Sequence, residues 1–233
     1  MIRGVFITGT DTACGKTYVA RALITALQRR GLRVAGFKPV AAGAERGDGF
    51  LQNDDALSLS AASNLDIPYD VINPYCFEAA VAPHIAAADG GLQIELSKIL
   101  AAREAIARRA DYIVAEGAGG WRVPLAADLD MQGLAVALGM PVLLVVGLRL
   151  GCLNHALLTE QAILASGTPL LGWVGTQVDL QMARVSDNLA TLLERLSVPC
   201  LGVLSHARAA AGIEISRALA LDMLLNGSAD AAS

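Results

Sequence analysis

The chain is 233 residues long, 54% hydrophobic but only 4% aromatic, and carries a formal net charge of −4. That length supports one large α/β domain with an ample core, the apolar share resting on Ala, Leu and Val rather than on rings. No basic cluster accompanies the acidic balance, which argues against nucleic acid or an anionic membrane surface as partner.

Read in order, the chain opens with an apolar run, Ile2–Thr8, expected to be a buried strand. Gly9-Thr10-Asp11-Thr12-Ala13-Cys14-Gly15-Lys16-Thr17 follows, then a helical pattern over Lys16–Arg30. A strand, a glycine-bearing turn and a helix beginning at Gly-Lys-Thr form the context of a phosphate-binding loop. Successive backbone N–H groups and the helix N-terminus present donors to phosphate oxygens there. Lys16 adds a mobile positive charge for the β- and γ-phosphates, and the Thr17 hydroxyl can bind Mg²⁺. The spacing is irregular: Thr10 stands where the first glycine belongs, and Gly9 comes one residue early.

The second strand, Arg33–Lys38, ends on one of only three lysines in the chain. A lysine closing a buried strand is costly unless it faces a charged ligand or partner. Lys38 is therefore read as a cation aimed at phosphate or at a developing anion, against a surface lysine whose stem snorkels. Asn53-Asp54-Asp55-Ala56 opens helix Asp54–Ala62. One of these polar residues serves as the N-cap, and a second acid so close to a phosphate site suits Mg²⁺. Helix Ile94–Arg109 leads to strand Asp111–Glu116. An acid at the end of such a strand is the expected second metal ligand of a P-loop protein. In Glu116-Gly117-Ala118-Gly119-Gly120-Trp121 the glycines let the backbone approach an anion, the alternative being a structural tight turn.

Helix Asp130–Leu138 precedes strand Pro141–Gly147, and Arg149–His155 runs into helix Asn154–Ser166, whose free N–H groups suit a carboxylate. His84, after Pro83, and His155 each fit a packed residue as readily as a catalyst. Strand Leu170–Gly175, helix Gln181–Leu196, strand Cys200–Leu204 and helix Ile213–Leu225 complete the alternation, and Asn226–Ser233 is expected to fray. Near-continuous apolar strands between helices predict a single α/β domain over residues 1–225, a mostly parallel sheet of the P-loop NTPase type with helices on both faces. Ligands of such sheets sit beyond the carboxyl ends of the strands. The longest apolar stretch, Leu134 to Leu148, holds Gly139 and Pro141 and is too short and interrupted to span a bilayer. Cys14, Cys76, Cys152 and Cys200 lack metal-like spacing and read as free thiols of a cytoplasmic protein, and no export signal is evident.

Together these segments resemble the dethiobiotin synthetases, ligases of the biotin pathway. The resemblance is carried by Thr8-Gly9-Thr10-Asp11-Thr12 with Gly15-Lys16-Thr17, Gly36-Phe37-Lys38-Pro39-Val40, Asn53–Ala56, Asn73-Pro74-Tyr75, Pro83-His84, Glu116–Trp121 and Gly151–His155, in family order. The irregular loop is that family's own. The resemblance implies that 7,8-diaminopelargonate, CO₂ and ATP yield dethiobiotin, ADP and phosphate with Mg²⁺. It implies Lys16, Lys38 and Thr12 as catalytic, with Thr17, Asp55 and Glu116 holding the metal. Nucleotide binding would fall to Ala13, Cys14, Gly15, Lys16, Thr17 and Tyr18, to Asp55, Glu116, Gly117, Ala118 and Gly119, and to Thr176 and Gln177. The substrate would meet Lys38, Ala42, Leu150, Gly151, Cys152 and Asn154, the last segment coming from the partner subunit of a homodimer.

Two positions depart from the family pattern. Ala42 replaces a Ser or Thr whose hydroxyl contacts substrate, a hydrogen bond of about 0.5–1.5 kcal/mol. Thr176-Gln177 replaces the Asn-Asp pair that reads adenine, although a glutamine amide offers both donor and acceptor. Two other readings fit the fold. A partner-regulating switch ATPase would carry an extra lysine where Asp11 stands, and an amidotransferase-type cobyrinate synthetase would need a second, glutaminase-like domain.

Overall fold

The computed structural model describes residues 3–47 and 49–204. In chain order the elements are β1 (Gly4–Gly9), α1 (Lys16–Gln28), β2 (Val34–Phe37), β3 (Val40–Ala42), β4 (Glu45–Gly47), β5 (Phe50–Gln52), α2 (Asp54–Ala62), α3 (Tyr69–Ile72), β6 (Tyr75–Phe77) and α4 (Pro83–Asp89). They continue with α5 (Leu96–Ala107), β7 (Tyr112–Glu116), β8 (Pro124–Ala126), β9 (Leu129–Asp130), α6 (Met131–Leu138), β10 (Val142–Gly147), α7 (Cys152–Ala165), β11 (Leu170–Thr176), α8 (Val185–Arg195) and β12 (Cys200–Leu204).

Six strands form one sheet in the order β12-β11-β10-β1-β7-β2, with every neighbouring pair parallel. β1, β7 and β10 are apolar on both faces because both faces are covered. Successive side chains of a strand alternate sides. Val5 and Ile7 accordingly pack with Leu23, Leu27 and Leu59 of α1 and α2, whereas Phe6 packs with α5, α6 and α7 residues such as Ile106, Leu134 and Ala156. The mostly parallel α/β expectation is met. β1 sits where the strand order turns, with β7 and β2 to one side and β10, β11 and β12 to the other, so the loop after it opens onto the ligand face.

The six sheet strands fall within a residue or two of their expected ranges. Helix ends moved more. α7 begins at Cys152 rather than Asn154 because Gly151, at φ 95°, turns the chain into it two residues early. α8 begins at Val185 rather than Gln181, since Arg184 takes φ 57°, outside the helical region. The β3–β6 pair and helices α3 and α4 were not anticipated. They are three to seven residues long, too brief for a periodic signal. Ile2 and the expected helix Ile213–Leu225 with the tail Asn226–Ser233 lie outside the described residues.

Candidate active site

The loop between β1 and α1 is shaped by two left-handed residues, Ala13 at φ 54° and Gly15 at φ 91°. For Ala13 that conformation costs about 1–2 kcal/mol, and strain of this kind concentrates at functional loops. The displaced glycine has a steric cause. A Cβ on Gly9 would stand 2.3 Å from Cys14 Sγ and 3.1 Å from the Lys16 stem, which both fold over that position. Thr10 is accommodated instead, its N–H donating to Val145 O at 3.0 Å and its hydroxyl accepting from Gly147 N at 3.4 Å.

Lys16 is buried at the head of α1, its Nζ donating to the Asp11 carbonyl at 2.8 Å. The Asp11 carboxylate accepts from Thr12 N at 2.7 Å and pairs with Arg149 at 2.5 Å. From the far side, Thr176 Oγ1 donates to the Cys14 carbonyl, and a Cβ on Gly15 would meet Thr176 at 3.0 Å. Thr176, which the resemblance placed at the nucleotide, thus braces the loop with its hydroxyl.

Across the cavity, Lys38 follows β2 and Glu116 ends β7. These strands are neighbours, and the pairing of Ile7 with Glu116 sets the carboxylate beside the end of β1. Lys38 Nζ lies 2.6 Å from Glu116 Oε1 and 2.9 Å from Asp55 Oδ2. Asn53 caps α2, accepting from the Asp55 and Ala56 N–H groups, so the cap and the second acid both exist, on different residues. Thr17 Oγ1 is 2.7 Å from Asp55 Oδ1 and 2.9 Å from Glu116 Oε1. One hydroxyl proton serves only one of them at a time.

Burial alone would push the Lys38 ammonium below its ordinary pKa; Glu116 and Asp55 together outweigh it and hold the pKa above 10.5. Burial likewise favours neutral Asp55, but Lys38, helped by Thr17 and Lys16, carries its pKa below 3.8. The signs set a window. Asp55 stabilises the fold fully above pH 3.8 and loses that contribution as pH falls through its lower folded value. Lys38 does so below pH 10.5 and loses it as pH rises through its higher one.

All of this faces one cavity of about 1010 Å³. Of the expected site residues, Thr12, Ala13, Gly15, Lys16, Thr17, Tyr18, Lys38, Ala42, Asp55, Glu116, Ala118, Gly119, Thr176 and Gln177 line it. Cys14 lies buried beneath the loop. Gly117 contributes a carbonyl 3.4 Å from Lys38 Nζ and is held close to Phe6, whose ring a Cβ would touch at 3.0 Å. Leu150, Gly151, Cys152 and Asn154 are not among the lining residues of a single chain; Leu150 is 92% exposed, and Cys152 is packed into the core. Ala80, Val81 and Ala82 with Val123, Val178 and Leu204 form a wall the sequence did not disclose, beside the Pro83 that it had singled out. Small apolar side chains carry no chemical signature. Pro83 lines the cavity while His84 buries an Nδ1 with no partner among the described residues, and His155 lies exposed on α7.

The oxygens of Thr17, Asp55 and Glu116 fit a Mg²⁺ ion. They are hard donors, Thr17 being in contact with both carboxylates, and Glu116 Oε2 is buried with no hydrogen-bond partner among the described residues. No group of three His, Cys, Asp or Glu stands together among the described residues.

A family model described as "AAA domain" matches residues 3–212. The chain is 48% identical over 219 residues to the ATP-dependent dethiobiotin synthetase BioD of Aromatoleum aromaticum, covering 94% of this chain and 97% of that one. It is 46% identical over 224 residues to the enzyme of the same name from Cellvibrio japonicus, covering 96% and 98%. Among solved structures it resembles the MinC:MinD cell division complex of Aquifex aeolicus (TM-score 0.56, 15% identity, 98% of this chain and 95% of that). MinD with Mg-ADP from Pyrococcus horikoshii is similar (TM-score 0.54, 16% identity, 100% and 95%). At those identities only the fold is shared. No helix among the described residues is long and apolar enough to cross a membrane.

Proposed function

The chain belongs to the dethiobiotin synthetase family, and we propose that it joins CO₂ to 7,8-diaminopelargonate with ATP and Mg²⁺, closing the cyclic urea of dethiobiotin through a carbamate and a carbamic–phosphoric anhydride. ATP-dependent dethiobiotin synthesis, the work of a ligase that forms C–N bonds, follows from that membership. The observation that carries the finer reading is the convergence of Lys16, Lys38, Thr17, Asp55 and Glu116 on one cavity beyond the carboxyl ends of β1, β2 and β7.

One substrate amine adds to CO₂ and releases a proton, leaving a carbamate whose oxygen is a poor leaving group. The γ-phosphoryl group of ATP passes to that oxygen and ADP departs. The neighbouring amine then attacks the carbamoyl carbon, and phosphate leaves as the ring closes. Phosphoryl transfer asks a protein mainly for positioning and for cancellation of charge. Lys16 meets the phosphates from the loop side, and Lys38 meets the carbamate oxygen or the transferred group from the opposite wall. Thr12, at the head of the cavity, donates to the transferred group, and the backbone from Gly117 to Gly119 approaches it closely. Gly119, at φ 63°, is held against Val123, whose Cγ2 a Cβ would meet at 2.8 Å. Thr17, Asp55 and Glu116 would hold Mg²⁺, which would supply positive charge against the phosphates. Ala42 lines the substrate side without a hydroxyl, and Gln177 is the side chain offered to the base. Incubation with diaminopelargonate, bicarbonate, Mg²⁺ and each nucleoside triphosphate is expected to give the ring-closed product by mass, with ATP among the effective nucleotides. Uncyclised substrate with every triphosphate would reject the reading.

The site is completed by a second copy of the chain. Support comes from Leu150, 92% exposed beside Gly151 at the head of α7, a segment that the resemblance assigns to the substrate carboxylate and that a single chain leaves off its own cavity wall. Equal mixtures of Lys38→Gln and Asn154→Ala subunits are expected to recover about a quarter of wild-type activity. Half the dimers are then mixed, and each mixed dimer owns one intact site. No recovery after demonstrated exchange would mean that each chain works alone.

A further inference from the structure

Asn73-Pro74-Tyr75 carries the family resemblance, yet no step of the reaction uses it. Asn73 is buried, and its Nδ2 donates to the Lys38 carbonyl at 2.7 Å and to the Tyr75 carbonyl at 3.0 Å. Its Oδ1 accepts from the Tyr69 hydroxyl at 3.1 Å. The same hydroxyl accepts from Asn53 N at 2.8 Å. Asn53 in turn caps α2 through Oδ1, taking the Asp55 N–H at 3.1 Å and the Ala56 N–H at 3.3 Å. Asp55 returns to the Lys38 ammonium at 2.9 Å. These bonds close a ring that ties the backbone of Lys38 to the helix start bearing its carboxylate partner.

We propose that Tyr69 and Asn73 are positioning residues that fix Lys38 and Asp55 relative to each other across the cavity. Tyr69 stands at the one place in the ring where a single atom both donates and accepts. The chain runs from Lys38 to Asp55 through β3 and the β4–β5 hairpin, whose strands are three residues each and exposed or half-buried. A hairpin of that length holds a register poorly. The far end of α2 is tied to β2 by the Gly36 N–H donating to Ser63 Oγ at 2.9 Å, and Asn53 Nδ2 reaches the Ala42 carbonyl at 3.4 Å, so the hydroxyl bridge adds the short bond at the helix start itself. Phe50 packs against the Tyr69 ring at 5.6 Å between centroids, and Tyr69→Phe keeps that contact while removing the bridge. The Asn53 N–H and Asn73 Oδ1 then lose their partner together.

The proposal rests on the ligase reading, and its test separates the two. In Tyr69→Phe, kcat for dethiobiotin is expected to fall roughly ten- to a hundredfold, the scale of a misplaced reacting group, while nucleotide affinity stays within about twofold. Amide exchange at Asp55 and Ala56 is expected to quicken about tenfold as the cap loosens, with β1 and β7 unchanged. In an Asp55→Asn background the Tyr69 change is expected to add little, because both act through one contact. Asn73→Asp, which keeps the acceptor for Tyr69 but loses the donor to Lys38, is expected to show the same kcat loss and stands in if Tyr69→Phe fails to fold. Unchanged kcat in either folded variant, unchanged protection at Asp55 and Ala56, or an undiminished loss in the Asp55→Asn background overturns the positioning role. A wild-type protein that forms no dethiobiotin defeats the ligase reading instead, and the exchange measurement still decides the ring.

Discussion

Lys16→Gln is expected to lower dethiobiotin formation by at least about 10²–10³-fold, the usual cost of removing one donor from a developing charge. Glutamine keeps most of the length and can still donate to the Asp11 carbonyl, so the loop and α1 should stand and the melting temperature should move little. What disappears is charge. Among the described contacts, Lys16 Nζ meets a backbone carbonyl at 2.8 Å and the Cys14 sulfur at 3.9 Å, with no carboxylate in direct contact. Lys38, by comparison, is already matched by two carboxylates. Lys16 is therefore the cation free to answer an incoming triphosphate. Product formation measured by mass, with circular dichroism confirming the fold, checks this. Turnover within about tenfold of wild type would take the phosphates away from Lys16.

What the sequence disclosed and what it hid divide along physical lines. Strand ends were legible because strands covered on both faces are apolar throughout, so the first polar residue after each, Lys38 or Glu116, marks the ligand edge. Contacts between segments were not. Nothing in the residues around Lys38 says that β2 lies against β7, and that adjacency alone brings Lys38 within 2.6 Å of Glu116. The early glycine at position 9 read as an irregularity because its cause is the Cys14 sulfur, which reaches back over it only after the turn has formed. Thr176 shows the same limit. Its place at the end of β11 suggested a role near the nucleotide, but its tie to the Cys14 carbonyl depends on where the loop lies. The wall from Ala80 to Ala82 stayed invisible because small apolar side chains announce nothing. Leu150 to Asn154 pose a different problem, since these residues lie off the cavity wall of the single chain and the resemblance alone assigned them to the substrate.

Lys38→Gln is expected to cut kcat by about 10²–10³-fold while ATP affinity falls far less. The reasoning turns on its charge state. Glu116 and Asp55 raise the Lys38 pKa above its ordinary value and favour the ammonium. On the proposed reading it acts by its charge on the carbamate and the group in transfer. Those charges develop at the transition state, so the loss belongs to kcat rather than to ground-state binding. A stability cost comes with it. Glu116 is fully buried, and removing one member of a buried pair typically costs about 3–5 kcal/mol because the other charge is stranded. Lys38→Gln combined with Glu116→Gln should recover much of that stability, since neither charge is then unpaired, and still recover no activity, since both the cation and a carboxylate placed at the phosphate edge are gone. Calorimetric ATP titration beside single-turnover kinetics separates the two effects. An unchanged kcat in Lys38→Gln would place this ammonium outside the transition state and leave it a structural counter-ion to Glu116.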